Sequence, residues 1–379
     1  MPWPTPVPTD PLIPTPGRTI ADLVPAVLER QGVVEMRDRG ASILGLPEGE
    51  RWVILLVDGL GRELLDRHAE DAPFLAGATE LGGLTSCVPS TTAVSLTSLG
   101  TGVPPARHGI VGYTFWMPGV GSDGDVFHPL PWRPERPVDV VQPIRPMFEE
   151  HDGVQVSLAD FVGTGLTSAS LGRGDFVPVD ELDGEGRIAA VTETAASHPL
   201  VYTYERRLDM AGHVHGCRSQ TWLEVLQEID AWVARLRAAL PDGTRLIVTG
   251  DHGMVDVPGR NQLFVAEEPE LADGVTRIFG EPRFVHVHTP DPDGVVSRWA
   301  NVLGDHAWVR TFDAATADGW FGDPELVNGG PLSERAGDVV VAMRTDWAVL
   351  ARPGLAMGEL VGHHGSLTPA EMRIPLIVS

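Results

Sequence analysis

The chain has 379 residues, 42% hydrophobic and 21% charged, a composition suited to a large folded core, and none of its apolar runs approaches the roughly 20 residues needed to span a bilayer. A formal net charge of −24 argues against a nucleic-acid polymer as partner, since that binding draws on basic surface, and two cysteines, Cys87 and Cys217, are too few to staple the fold. Every fixed positive side chain is an arginine, so an anionic substrate needs a local concentration of positive charge, for which bound metal ions are the obvious source.

The proline-rich residues 1–19 favour an extended strap over a helix, and their lack of a basic-then-apolar order predicts a cytoplasmic product without a signal peptide. Residues 51–57 (RWVILLV) are a continuous apolar run closed by Asp58-Gly59-Leu60-Gly61. That pattern reads as a buried parallel strand ending in a turn, with a helix expected over 62–68. Residues 87–102 (CVPSTTAVSLTSLGTG) place four hydroxyls, Ser90, Thr91, Thr92 and Ser95, at the head of a small-residue helix. Residues 112–154, rich in proline, glycine and tryptophan, read as a long loop bordering a substrate pocket.

Strand grammar recurs at 199–204 (PLVYTY) and at 244–249 (TRLIVT), the latter closing on Gly250-Asp251-His252-Gly253. Between them, residues 221–240 space apolar positions at three and four, as an amphipathic crossover helix does. Residues 257–352 change character, with FVHVHT at 284–289, a helix expected over 294–303 and GDVVVAMRT at 337–345, and read as a small α+β insertion. The chain returns with Gly362-His363-His364-Gly365 and a final strand over 374–378; no internal repeat is apparent. The expected fold is α/β, a largely parallel sheet flanked by helices. Its expected divisions are 1–50 for the strap and first helix, 51–256 for the catalytic core, 257–352 for the inserted subdomain and 353–379 for the return to the core.

Acidic residues and histidines gather at or just past the carboxyl ends of these strands, the edge where ligands bind in open α/β sheets. They are Asp58, the pair Asp209-x-x-x-His213, Asp251-His252 and His364. Singly each has an ordinary explanation, as a turn residue, a helix-surface pair or a loop. Jointly, three carboxylates and three imidazoles are a ligand inventory for two divalent cations; zinc, which accepts N and O ligands, fits first, with manganese as the alternative. Two such ions about 3.5–4 Å apart bind the attacking and leaving oxygens of a phosphoryl group together, and one of them activates a hydroxyl that is otherwise a weak nucleophile.

On these residues the chain resembles the alkaline phosphatase superfamily, most closely its nucleotide pyrophosphatase/phosphodiesterase-like branch. The matching segments are VDGLG at 57–61, PSTT followed by TG and RHGIVGYT within 89–114, LDMAGH at 208–213, TGDHGM at 249–254 and GHHG at 362–365. The resemblance spans about residues 52–365 and implies an alkaline phosphatase-like fold. It further implies one metal held by Asp58, Thr92, Asp251 and His252, and another held by Asp209, His213 and His364. The superfamily places its nucleophile nine positions before the Thr of a Thr-Gly pair, here Thr101, which selects Thr92. The P-x-x-T pattern of the branch, Pro89 to Thr92, selects the same residue, with Thr91 as the alternative. Thr92 would then open a helix whose free N–H groups favour a phosphoryl oxygen.

Cys87-Val88-Pro89-Ser90-Thr91 imitates the C-x-P-S-R motif of sulfatases, but Thr91 replaces its arginine and Cys87 lies fourteen positions before Thr101, so Cys87 reads as a small buried hydrophobe. Where the branch has an asparagine three residues after the nucleophile, this chain has Ser95, expected to donate to the phosphoryl oxygens. The branch's T-F-P-N context is replaced by Thr92-Ala93-Val94-Ser95, so its nucleotide preference does not carry over. His286 and His288 share a strand face and read as packing; His108 resembles a structural residue of the branch, and His215 and His363 are outer neighbours of the ligands. The resemblance implies hydrolysis of a small-molecule phosphodiester or pyrophosphate through a metal-activated Thr92 and a phosphothreonine. The alternatives are a phosphomonoesterase or phosphonate hydrolase of the same superfamily, with mutase chemistry disfavoured by the absence of lysine, and, from another class, a catalytically silent metal-binding scaffold. Nothing in the sequence points to an oligomeric state.

Overall fold

The computed structural model describes residues 7–33, 41–119 and 123–379. In chain order, the strands of its two larger sheets are Arg51–Val57 (β1), Thr79–Glu80 (β2), Val154–Leu158 (β3), Phe176–Val179 (β4), Leu200–Glu205 (β5), Thr244–Thr249 (β6), Arg277–Glu281 (β7), Phe284–His288 (β8), Ala307–Thr311 (β9), Val339–Met343 (β10) and Leu376–Val378 (β11). The larger sheet has seven strands in the order β2-β11-β6-β1-β5-β3-β4. It is parallel from β6 through β4, while β11 runs antiparallel to both β6 and β2. The expected α/β architecture with a largely parallel sheet is what forms.

β1 is central, and all of it but Arg51 is buried, which is why its sequence is continuously apolar. Successive side chains face opposite layers. Val53, Leu55 and Val57 join a core with the helices Gly184–Ser197 and Gln220–Ala239, whose inward positions include Val191, Trp222, Ile229 and Leu236. Trp52, Ile54 and Leu56 join the core of the opposite layer, built on the helices Leu23–Arg30 and Thr92–Thr101. Each buried large apolar side chain contributes roughly 1.5–3 kcal/mol, so the middle of the sheet is its most strongly fixed part.

β7 to β10 form a four-stranded antiparallel sheet in the order β7-β8-β10-β9. One of its faces packs on the helix Pro292–Leu303 through Val295 and Trp299. The other face, with Phe284, Trp308, Val340 and Ala342, is continuous with the core that receives Trp52. The residues preceding the first helix lie extended across both parts. Leu12 donates its N–H to the Leu367 carbonyl at 2.8 Å, and Arg344 and Trp308 donate to the carbonyls of Pro8 and Thr9. Residues 1–6 of the expected strap lie outside the described residues.

Two sequence expectations need correction. The final strand is not continuous over 374–378: Arg373–Ile374 pairs with Leu84–Thr85, and only Leu376–Val378 enters the main sheet. Pro375 between them lacks the N–H that would continue one ladder. The stretch 112–154 is also more ordered than a plain loop. Phe115–Met117 pairs antiparallel with Asp125–Phe127, and Phe115, Phe127 and Trp132 are buried together, which supplies the apolar area an irregular segment lacks.

Candidate active site

The register of β5, β1 and β6 brings the chemistry to one edge. Val57 pairs with Glu205 and Leu56 with Thr249, so their three carboxyl ends lie side by side. Asp58 follows the first directly, Asp251 and His252 follow the third, and Asp209 and His213 sit one turn apart on the helix Arg207–His215 that begins after the second. Gly59 has φ +74, and a Cβ there would lie 3.1 Å from the Cα of Asp209. The turn after β1 therefore presses against that helix, as only glycine permits.

Three imidazoles are oriented in the same way. His213, His252 and His364 have Nδ1 at 2.8, 2.9 and 2.9 Å from the carbonyls of Gly362, Gly253 and Ser90. A carbonyl accepts only, so each Nδ1 carries a proton and each Nε2 is turned toward the cluster, the orientation a metal ligand needs. The rings of His252 and His364 stack at 3.6 Å between centroids. Burial first, and then the neighbouring His252 and His213, hold the His364 imidazole well below its ordinary value, so it is neutral.

The carboxylates converge on the same space. Asp209 Oδ2 lies 3.2 Å from Nε2 of His213, Asp58 Oδ1 lies 3.4 Å from Nε2 of His252, and Asp251 Oδ2 lies 3.5 Å from that same nitrogen. Donor atoms of Asp209, His213 and His364 lie within 4.8 Å of one another, and so do those of Asp58, Asp209 and His252. The two expected ligand groups are thus adjacent, with Asp209 within reach of both. Among the described residues, Oδ1 of Asp58, Oδ1 of Asp209 and Oδ2 of Asp251 are buried without a hydrogen-bond partner. Burial, then the charges of Asp251 and Asp209, push the Asp58 carboxyl well above its ordinary range; burial pushes Asp209 up to about 6, with His213 opposing and Asp251 adding to the rise. Buried carboxylate oxygens without partners, beside three inward-turned imidazole Nε2 atoms, fit divalent cations.

Thr92 is the first residue of the helix Thr92–Thr101, and its Oγ1 lies 3.2 Å from Nε2 of His252. Thr91 occupies the N-cap position of that helix without a side-chain capping bond, and is almost wholly buried at the cleft wall. Ser95 does not stand where a phosphoryl donor is needed. It is fully buried, donates its hydroxyl to the Asp251 carbonyl at 2.9 Å and lies 3.0 Å from the Ser86 hydroxyl. Three residues past Thr92, the helix has turned this side chain onto the loop that carries Asp251, so the expectation of a phosphoryl contact is corrected to a tether of that loop.

Sequence reasoning missed three features. The Tyr204 hydroxyl donates to Asp58 Oδ2; its place at the carboxyl end of β5 is the same positional signal that identified Asp58. Arg283 and Glu371, both fully buried, form a two-bond ion pair at 2.7 and 2.8 Å, and Glu371 also accepts from Ser366 N–H and the Thr368 hydroxyl. That pair ties β7–β8 to the segment carrying His364. Glu281 is a buried acid on the cleft wall, with no local motif to mark it. Burial raises the Cys87 thiol to about 11 and lowers the His286 imidazole to about 3, and His363, next to His364, bonds the Leu360 carbonyl; none of the three is in the groups whose donor atoms converge. His108 bonds the Ser98 hydroxyl in the core, and His215 is exposed.

A cleft of about 260 Å³ opens over the cluster, walled by Asp58, Thr92, Tyr204, Asp209, His213 and His364 and by Tyr113, Leu130, Arg206, Glu281 and Met357. Tyr113 and Leu130 come from the 112–154 stretch expected to border a pocket. Arg206, the only arginine of that wall among the described residues, is held by Glu181 through bonds of 2.8 and 3.0 Å. The sequence profile described as type I phosphodiesterase / nucleotide pyrophosphatase matches residues 52–367, most of the chain and all of this constellation.

The chain belongs to the type I phosphodiesterase/nucleotide pyrophosphatase family. It is therefore a hydrolase of phosphate esters. Solved structures similar to this phosphodiesterase-family chain include murine ectonucleotide pyrophosphatase/phosphodiesterase 5 as an inactive variant in complex with AMP, at 18% identity, 87% coverage of each chain and a TM-score of 0.67. The same murine protein without that substitution gives 18% identity, 86% and 87% coverage and a TM-score of 0.66, and its human counterpart 17%, 86% and 87%, and 0.64. At these identities the likeness establishes the alkaline phosphatase-like fold. No curated protein sequence matches the chain.

Proposed function

We propose that the chain hydrolyses a small-molecule phosphodiester or pyrophosphate through Thr92, with two divalent cations, zinc first, in the cluster. The observation that carries this reading is the Thr92 hydroxyl 3.2 Å from the inward-facing Nε2 of His252, beside three buried carboxylate oxygens without partners. Asp58, Asp251 and His252 would hold one ion next to Thr92, and Asp209, His213 and His364 the other. When bound, the ions supply the positive charge an acidic protein needs to admit a phosphate ester, and favour the ionised form of a hydroxyl beside them.

The chain's own groups do the rest. Thr92 Oγ1 is at the start of a ten-residue helix, an end whose N–H groups and dipole favour an anion beside it. Attack on phosphorus forms the Thr92 ester bond as the opposite P–O bond breaks, and water then releases the phosphate from Thr92. Tyr204 fixes Asp58, and the carbonyls of Gly362, Gly253 and Ser90 fix the three imidazoles, so the constellation is in place before substrate arrives.

A chamber of about 230 Å³ adjoins the cleft at Thr92, Leu130 and Tyr204 and is walled by Leu96, Phe161, Leu166, Leu171 and Phe176. It is suited to a second, apolar or flat substituent retained on phosphorus, which favours a diester over a monoester. The test is Thr92→Ala, expected to lower turnover of an aryl phosphodiester by at least about a thousandfold while bound metal, measured by elemental analysis, is unchanged. Full activity of that variant would refute the assignment.

A further inference from the structure

The cleft has two ends, and only one of them is explained by the nucleophile. The chamber beside Thr92 shares Thr92, Leu130 and Tyr204 with the cleft. A third cavity, of about 270 Å³, shares a wholly different set, Tyr113, Glu281 and Met357. In-line displacement puts the departing group on the side of phosphorus away from the attacking oxygen. The third cavity shares no residue with the chamber beside Thr92, so its end of the cleft is the one we assign to the departing group.

At that end stands a built polar contact. Glu281 is 3% exposed; its Oε2 accepts the Tyr113 N–H at 3.1 Å, whereas its Oε1 is buried without a partner among the described residues. An unpaired buried carboxyl oxygen disfavours the empty site and is compensated by a ligand that bonds it. Its position is shaped for: Gly365, next to His364, has φ +126, and a Cβ there would stand 2.5 Å from Cγ of Glu281. Behind Glu281 the third cavity is largely apolar, with Phe279, Val349 and Leu355.

We propose that Glu281 is a specificity-determining residue that hydrogen-bonds a hydroxyl of the departing alcohol, with the apolar cavity behind it receiving the remainder of that group. This rests on the reading of the cluster as a phosphodiester-cleaving site. A hydroxyl is the matching chemistry because it both donates and accepts, and so bonds Oε1 whether or not the acid carries a proton; burial raises that acid to about 8.

The experiment compares two chromogenic esters, methyl 4-nitrophenyl phosphate and its analogue with a hydroxymethyl group on the aryl ring beside the ester oxygen. Each is measured with the zinc-loaded wild type, Glu281→Gln and Glu281→Met. The wild type is expected to prefer the hydroxymethyl ester about tenfold in kcat/KM, as one added hydrogen bond gives. Glu281→Gln, which keeps hydrogen-bonding atoms, should retain a preference. Glu281→Met, of similar volume, should lose it while turning over the plain ester within about threefold of wild type and keeping its metal. Equal turnover of the two esters by the wild type would overturn the proposal without the variants. An equal loss on both esters in Glu281→Met, or loss of its metal, would also overturn it, by making Glu281 a structural support. If the wild type, with its metal bound, cleaves neither ester, the reading of the cluster itself fails.

Discussion

Replacing Asp209 by Asn should act in opposite directions with and without divalent ions. In the ion-free chain this carboxyl is held up to about 6, against 3.8 for an ordinary aspartate. The difference of about 2 pH units corresponds to roughly 3 kcal/mol. Because the folded value lies above the unfolded one, the native chain binds this proton more tightly. Its stabilising contribution is therefore complete below about pH 4 and is lost as pH rises through about 6. At pH 7.5 the ion-free Asp209→Asn variant escapes that penalty, offset by about 1–3 kcal/mol for a buried amide with incomplete hydrogen bonds. Its Tm should match or exceed the wild type's by up to about 3 °C. Zinc should reverse the order, since ions at a thousandfold above their Kd add about 4 kcal/mol to the wild type and far less to a variant lacking the carboxylate within reach of both ligand groups. Calorimetric unfolding of chelator-treated and zinc-loaded samples at pH 5 and 7.5 reads all of these. A wild-type Tm indifferent to zinc, or an Asp209→Asn variant as destabilised without ions as with them, would refute the reasoning.

Ser95→Ala should lower turnover less than tenfold while removing about 1 kcal/mol of stability, because the hydroxyl holds the Asp251 carbonyl and not the substrate; a loss as large as that of Thr92→Ala would restore Ser95 to the phosphoryl site. Tyr204→Phe removes the bond to Asp58 and should weaken metal affinity about 10- to 100-fold, read by competition with a chelating dye, with the unfolding transition little changed. Glu371→Gln breaks a fully buried pair with Arg283 and should cost about 3–5 kcal/mol, seen as a lower midpoint in urea and as weaker zinc binding through the loop carrying His364. An unchanged midpoint would show that the pair is not what ties that loop.

The identities of the clustered acidic and imidazole residues were legible in the sequence because most obey a local rule. Asp58 and Asp251-His252 follow apolar runs that become parallel strands, and Asp209 and His213 have helical spacing. Thr92 was singled out by the spacing and the P-x-x-T pattern of the family the chain resembles, not by its own neighbours, and the structure places it at the start of a helix beside His252. Ser95 was misread for the same reason: spacing along a helix gives an angle, not what occupies the volume it points at, and here that volume is filled by the Asp251 carbonyl. Pro375 was in plain view, yet dividing the last strand between two sheets depends on which partners are adjacent.

What the chain by itself determined is the set of chemical groups and the strand ends that carry them, since periodicity and turn residues act over a few positions. Only the tertiary structure decided which groups share one space. The register of β5, β1 and β6 places residues about 150 to 200 positions apart within bonding distance. The same packing forms the Arg283–Glu371 pair behind the cluster and sets Glu281 across the cleft, contacts that arise when separate parts of the chain close on one another. No local pattern encodes them, because burial and partnership are properties of the assembled core.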